Sequence, residues 1–384
     1  MMNRVVILGA SRTPIGSFLG GLSKKSAPQL GSIAISGALK SAGIKPEAVD
    51  EVVMGNVLSA GTGQAPARQA MIYAGIPAKA SAATVNKMCG SGLKAVIMAS
   101  KSLLTGDSKV SVAGGMESMT RAPYLLEKAR SGYKLGHGEF ADSVLKDGLV
   151  DPYSDKHMGL CGEMCAQMYG FTRKDQDEYA VMSYTRAREA QTGGAFATEI
   201  CPVDGVSEDE EPKKGDFAKM PALKPAFKKD GTITAANASK LNDGAAALVL
   251  STEEHAEKLG AKPVATILGW AGHSQEPEWF TTAPAQAIEK LLERVGWTKD
   301  EVDLYEINEA FSVVSLVNMR LTGIPKEKVN VQGGAVALGH PIGASGARIV
   351  VTLINALKRR NLRKGVASIC IGGGEALALA VELN

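Results

Sequence analysis

Residues 42–52, AGIKPEAVDEV, match residues 295–305, VGWTKDEVDLY, with Gly43 and Gly296, and Asp50 and Asp303, at one separation of 253. A second match aligns CGSGLKAV (89–96) with IGASGARIV (342–350) through Ser91-Gly92 and Ser345-Gly346, and a third pairs VSVAGGMES with ASICIGGGEA. Self-similarity over so long a period means two copies of one α/β unit, because solenoid repeats recur every ~20–50 residues. At 384 residues the chain can bury a core for each copy. Two copies facing each other leave one cleft between them.

Within the first copy, strand-like runs at 5–8, 49–54, 83–86 and 109–113 alternate with helical patterns at 28–41 (closed by Gly43), 67–74 and 91–104 (closed by Gly106). The second copy repeats the theme: helical 285–295 closed by Gly296, strand-like 302–307, helical 310–321 and 343–357, strand-like 366–371. Repeated βα alternation predicts a mostly parallel sheet covered by helices. Between the copies the pattern breaks into helical 160–169, helical 173–190 after the N-cap candidate Thr172, and a charged, Pro-punctuated stretch at 207–231. So long an irregular segment reads as a substrate-covering insertion. Strand-like 247–251 then returns to the first copy. The expected division is a first half of residues 1–118 plus 243–262, an inserted loop domain over 119–242, and a second half over 263–384.

A net charge of +3 without a long basic block argues against nucleic-acid binding. No apolar run reaches the roughly 18 residues of a membrane span. MMNRVVILGA enters a strand-like segment without a signal-peptide pattern, and VELN is no peroxisomal address, so a cytoplasmic protein is expected. Five cysteines, an odd number in a long chain, argue for reduced thiols.

Three segments each set a reactive side chain among glycines: Cys89 in NKMCGSG, His340 in ALGHPIGASG and Cys370 in SICIGGGEA. Glycine lets backbone N–H groups come close to a substrate oxygen. Cys89 falls at the start of a helix, where the dipole favours a thiolate. Cys370, taken alone, reads more readily as core. His340 is one of only five histidines and sits in a segment too glycine-rich for regular structure, as a proton acceptor or a loop residue. Asn308 and Glu309, in EINEAF, lie where a strand turns into a helix, the edge at which α/β folds place their sites; a helix N-cap is the alternative for Asn308. His157, Cys161 and Cys165 recur on one helical face, but three ligands at that spacing match no common zinc pattern, and no metal is expected. VVILGASRTPIG lacks the G-x-G-x-x-G spacing of a dinucleotide site, which weakens an oxidoreductase reading.

CGSG, NEAF, GHPIGASGAR and CIGGGEA, in that order, make the chain resemble the thiolases over essentially its whole length, nearest the short-chain acetyl-CoA acetyltransferases. The resemblance implies a duplicated five-layer αβαβα core, an inserted loop domain that holds coenzyme A, and a homotetramer built as a dimer of dimers. It implies no permanently bound cofactor, with coenzyme A and acetyl-CoA as substrates and no nucleic-acid or membrane partner. Residue by residue, it makes Cys89 the acetyl-carrying nucleophile, His340 the base that activates it and Cys370 the second acid/base. Asn308 would order a water in one oxyanion hole, and the N–H groups of Cys89 and Gly372 would form the other, with glycine a geometric necessity at 372. Ser239, His157, Met158, Phe227, Leu149 and Phe311 would line the acyl-CoA pocket. Lys240 and Glu375 depart from residues frequent in relatives, and Pro212 replaces the tyrosine of potassium-responsive members, which implies no strong potassium activation. A broader-range 3-ketoacyl-CoA thiolase is the alternative within the family. Condensing enzymes that act on acyl-carrier protein lack the second cysteine.

Overall fold

The computed structural model describes residues 4–384; residues 1–3 of the expected first half lie outside the described residues. The first half runs β1 (Val5–Arg12), the short β2 (Gly16–Ser17), α1 (Ala27–Ala42), β3 (Glu51–Gly55), α2 (Pro66–Tyr73), β4 (Ser81–Val85), α3 (Ser91–Thr105) and β5 (Val110–Ser118). A long excursion carries the small hairpin β6 (Tyr124–Leu125) and β7 (Ala141–Asp142), then α4 (Met158–Tyr169) and α5 (Arg173–Thr192). The chain returns through β8 (Asn242–Thr252) and α6 (Glu253–Lys258). The second half runs β9 (Ala265–Ser274), α7 (Ala283–Val295), β10 (Leu304–Ile307), α8 (Ser312–Thr322), α9 (Ala335–Leu338), α10 (Ile342–Arg360), β11 (Lys364–Ile371) and β12 (Glu375–Leu383).

The strands form one ribbon in the order β10-β11-β12-β9-β1-β8-β5-β3-β4, with β2 beside β8. Only β10–β11, β3–β4 and β3–β5 pair in parallel, so the sheet is mixed and not mostly parallel. The difference comes from β9 and the Ala- and Leu-rich β12, neither of which was expected as a strand, and from β8, which comes back antiparallel to both β1 and β5. The halves join where Val5–Ile7 of β1 pairs with Ala265–Ile267 of β9.

Alternate residues of each strand serve two different cores. Val6 and Leu8 face outward with α1 and α2, whereas Val5 and Ile7 face inward onto α3 and α10. In the second half, α7 covers Tyr305, Val366 and Ala378, while Leu304, Ala367 and Leu379 join the central cluster. Outer helices, sheet, α3 with α10, sheet, outer helices: these are the five layers αβαβα. Sheets buried on both faces account for strands that read as unbroken apolar runs.

The duplication extends to individual hydrogen bonds. Asp50 accepts from the N–H groups of Lys109 (2.9 Å) and Val110 (3.0 Å), and Asp303 accepts from those of Arg363 (2.9 Å) and Lys364 (2.8 Å). Gly43 and Gly296 both close their helices in the left-handed region, at φ 65° and 69°. At the centre, α3 and α10 meet backbone to backbone: a Cβ on Gly92 would lie 2.8 Å from the Ala347 nitrogen, and one on Gly346 would lie 2.5 Å from that of Leu93.

Arg12, at the end of β1, anchors the excursion to the core. Fully buried, it donates to Glu199 (2.6 Å) and, through two nitrogens, to Asp209 (2.7 and 2.9 Å), and stacks 4.9 Å from the Phe196 ring centre. Removing one partner of a buried ionic group costs about 3–5 kcal/mol, because the others stay desolvated and unpaired. Arg12→Met is therefore expected to lower the urea midpoint sharply, and an unchanged midpoint would contradict this anchoring role.

Candidate active site

Cys89 leaves β4 through a turn that its neighbours hold under strain. Met88 adopts φ 46°, a left-handed conformation costly for a residue with a Cβ. Ser91 Oγ pins the turn by accepting from Lys87 N (2.8 Å) and donating to Met88 O (2.6 Å), and Asn86 accepts from Met88 N (3.1 Å). Cys89 is thereby presented at the N-terminus of α3. The N–H of Gly372, across the interface between halves, and that of Cys89 itself favour the thiolate. Burial pushes the thiol up to about 11, with the Glu117 charge adding and those two N–H groups opposing, so at neutral pH it rests as a thiol that needs a base.

His340 follows Gly339, whose φ of 109° suits only glycine, and its backbone N–H donates to Asn242 Oδ1 (2.9 Å). Its Nδ1 lies 2.6 Å from Ser345 Oγ, which spends its own proton on Pro341 O (2.9 Å). The serine must then accept, so Nδ1 carries the hydrogen and Nε2 presents a bare lone pair. Nε2 is buried without a partner in the protein. Burial, with the Arg348 charge adding, pulls the imidazolium down to about 3, and the ring is neutral throughout the physiological range.

Cys370, next to last in β11, lies in a buried cluster with Phe311, against which Met158 and Phe227 pack. Burial raises its pKa well above the ordinary thiol value, and the charge of Cys89 raises it further. Asn308 is fully buried at the end of β10, and neither its Oδ1 nor its Nδ2 has a protein partner. Buried amides are hydrogen-bonded as a rule, so this one awaits water or substrate. Glycine at 372 is not the steric necessity expected: a Cβ there would meet only Met158 Sδ, at 3.5 Å, and the left-handed turn falls on Gly373 and Gly374. What position 372 contributes is its N–H.

Leu149, His157, Met158, Phe227, Ser239 and Phe311 all line one cavity of 270 Å³ together with His340. His157 caps α4, accepting from Gly159 N (3.0 Å), and stacks on Phe227 at 4.6 Å. Phe227 in turn meets Phe311 edge-on at 6.0 Å. Met158 divides this cavity from a second, of 260 Å³, lined by Met88 and Gly372. Cys89 packs against the cluster of Val57, Leu58, Met119, Val144 and Ile342, of which Met119 and Ile342 line the His340 cavity. A larger hollow of 680 Å³, beside Ser17–Gly20 and residues 205–214, contains none of the reactive groups.

Two buried carboxylates brace the site, and one of them, Glu117, escaped the sequence reading. Glu117, at the end of β5, accepts from Asn56 Nδ2 (2.7 Å), Val57 N (3.0 Å), Leu58 N (3.2 Å) and Gly343 N (2.9 Å), and burial pushes it up to about 7 despite them. It joins the Cys89 half to the helix that follows His340. Its segment, VSVAGGMES, was already one member of the third repeat match. Glu309, which the sequence places with Asn308 at the site-bearing edge, accepts from Tyr179 (2.8 Å), Ser183 (2.8 Å), Asn330 (2.9 Å) and Val336 N (3.0 Å), so α5 holds the Asn308 turn in place. Glu375 pairs with Lys87 at 2.6 Å and links the Cys89 turn to the start of β12.

A duplicated α/β core that brings two cysteines and a neutral histidine to one cleft defines a thiolase, and the chain belongs to that family. Residues 5–254 match the family described as thiolase, N-terminal domain, and residues 261–383 match thiolase, C-terminal domain. Among curated relatives it is 53% identical to acetyl-CoA acetyltransferase 2 of Arabidopsis thaliana, covering 99% of this chain and 97% of the relative. It is 51% identical to the mitochondrial acetyl-CoA acetyltransferase of Rattus norvegicus, over 99% of this chain and 91% of that one. Of solved structures, the Acat5 thiolase from Ascaris suum in complex with coenzyme A superposes with a TM-score of 0.96 at 45% identity, covering 99% of this chain and all of that one.

Proposed function

We propose that the chain is an acetyl-CoA C-acetyltransferase, joining two acetyl-CoA molecules into acetoacetyl-CoA and coenzyme A, reversibly, through an acetyl-Cys89 intermediate. The observation that carries this reading is Cys89 under two N–H groups beside a cavity into which a neutral, unpartnered His340 opens. None of the three reactive groups carries a charge, because burial lifts both thiols and lowers the imidazole. Charge then develops only as substrate fills the cavity.

His340 Nε2 takes the Cys89 proton as sulfur attacks the thioester carbonyl, and the N–H groups of Cys89 and Gly372 receive the developing oxyanion. The C–S bond to coenzyme A breaks, and its thiolate takes the Cys370 proton. After this half-reaction Cys89 is a thioester, His340 is an imidazolium and Cys370 is a thiolate. Cys370 then removes a methyl proton from the second acetyl-CoA. The enolate oxygen is held by His340 and by a water on the Asn308 amide. Attack on acetyl-Cys89 releases the Cys89 thiolate, which recovers its proton from His340, and all three groups return to neutral.

Met158, Leu149 and Phe311 limit the cavity to short acyl groups, which favours this activity over a broader-range 3-ketoacyl-CoA thiolase. The 119–242 excursion, leaving after β5 and returning at β8, is assigned as the loop domain that covers coenzyme A. A homotetramer fits two features. Strand β4 pairs only with β3 and leaves an open edge, and Tyr124, Leu126, Leu135 and Phe140 expose apolar surface on the excursion. No helix among the described residues is long and apolar enough to cross a membrane, and a cytoplasmic location is proposed. Mass spectrometry of the protein mixed with acetyl-CoA tests the reading: one acetyl group on the Cys89 peptide is expected, and an unmodified peptide would overturn it.

A further inference from the structure

Lys240 lines the same cavity as Ser239 and His340, yet the chemistry above gives it no task. Both hydrogen bonds of its ammonium go to main-chain carbonyls, Ala238 O at 2.8 Å and Val336 O at 2.7 Å, and it lies 5.1 Å from the centre of the Tyr184 ring. Burial pulls its pKa down to about 8, while the charges of Glu211 and Glu309 oppose that. A cation placed at such cost, on carbonyls and a ring face, suggests a bond the fold needs at that point.

The two carbonyls belong to separate pieces of the molecule. Ala238 stands in the segment that closes the excursion and carries Ser239, whose own N–H reaches Ala310 O at 3.0 Å. Val336 stands in α9, which ends at Gly339, one residue before His340. The ammonium thus staples the wall bearing Ser239 to the wall bearing His340.

We propose that Lys240 is a positioning residue: its ammonium, by bridging Ala238 O and Val336 O, sets the width of the passage along which the acyl-CoA thioester reaches His340. The proposal rests on the acetyltransferase reading. No side chain nearby duplicates the bridge, so its loss leaves two carbonyls facing a cation-sized gap. In Lys240→Met, KM for acetoacetyl-CoA in thiolysis is expected to rise about tenfold, the effect of losing hydrogen bonds from a charged donor, with kcat held within about threefold. In Lys240→Ala, ammonium chloride is expected to restore most of the lost kcat/KM by re-entering the gap, and sodium chloride at equal ionic strength is not. Recovery by ammonium is a response that a general loss of packing would not give. An unchanged KM in Lys240→Met, or an alanine variant indifferent to ammonium, would overturn the proposal. Acetylation of the parent separates the two readings: without acetyl-Cys89 the acetyltransferase reading fails, and with it an unresponsive lysine variant sinks only the staple.

Discussion

A Cys370→Ala variant is expected to take up an acetyl group on Cys89 and then stall. Acetoacetyl-CoA formation should fall by about 10³- to 10⁴-fold, at the upper end of what a positioned acid or base contributes. Acetylation should slow far less, since a thiolate leaves without full protonation. The alanine leaves the Cys89 turn and its two N–H groups untouched, as these belong to residues 86–91 and 372. Acetyl adduct on the Cys89 peptide follows the first half, acetoacetyl-CoA absorbance the whole reaction, and deuterium exchange into the methyl group of acetyl-CoA the proton step itself. Equal losses in both halves would remove Cys370 from carbon chemistry and leave it a packing residue among Met158, Phe227 and Phe311.

His340→Ala is expected to lower kcat/KM in both directions by about 10⁴-fold or more, because it removes a general base and an oxyanion donor together. The two losses fall on different steps, so neither acetylation nor condensation is spared. The pH profile carries separate information. The folded imidazolium gives up its proton near pH 3, far below the ordinary value near 6.5, so lowering the pH through 6.5 should not switch off the base. Parent kcat/KM is therefore expected to stay flat from about pH 6 to 8. A half-loss centred near 6.5 would mean a solvated, ordinary histidine and would contradict the buried, serine-oriented ring.

The βα alternation and the closing glycines of α1, α3 and α7 were legible because helix periodicity and left-handed caps are local properties. Strand β12, EALALAVEL, was not: alanine and leucine favour helix in isolation, and only pairing with β9 and β11 makes the segment a strand. The parallel reading of the sheet failed with it. Cys89, His340 and Cys370 stood out in the sequence because each is set among glycines, which let main-chain N–H groups come close to a bound oxygen. Glu117, Glu309 and Lys240 carry no such signature. Each acts through at least one partner tens of positions away: Val336 stands 96 residues from Lys240, and Gly343 stands 226 from Glu117.

Where α3 crosses α10 at Gly92 and Gly346, main chain comes close against main chain, in the helices that begin beside Cys89 and His340. A separation set this way is insulated from sequence drift. Substitutions elsewhere on either helix can change the surrounding core while the gap between nucleophile and base is passed on with the backbone. Relatives could then diverge widely in their cores and still inherit one reaction, whereas a single added methyl at either glycine would pry the catalytic groups apart.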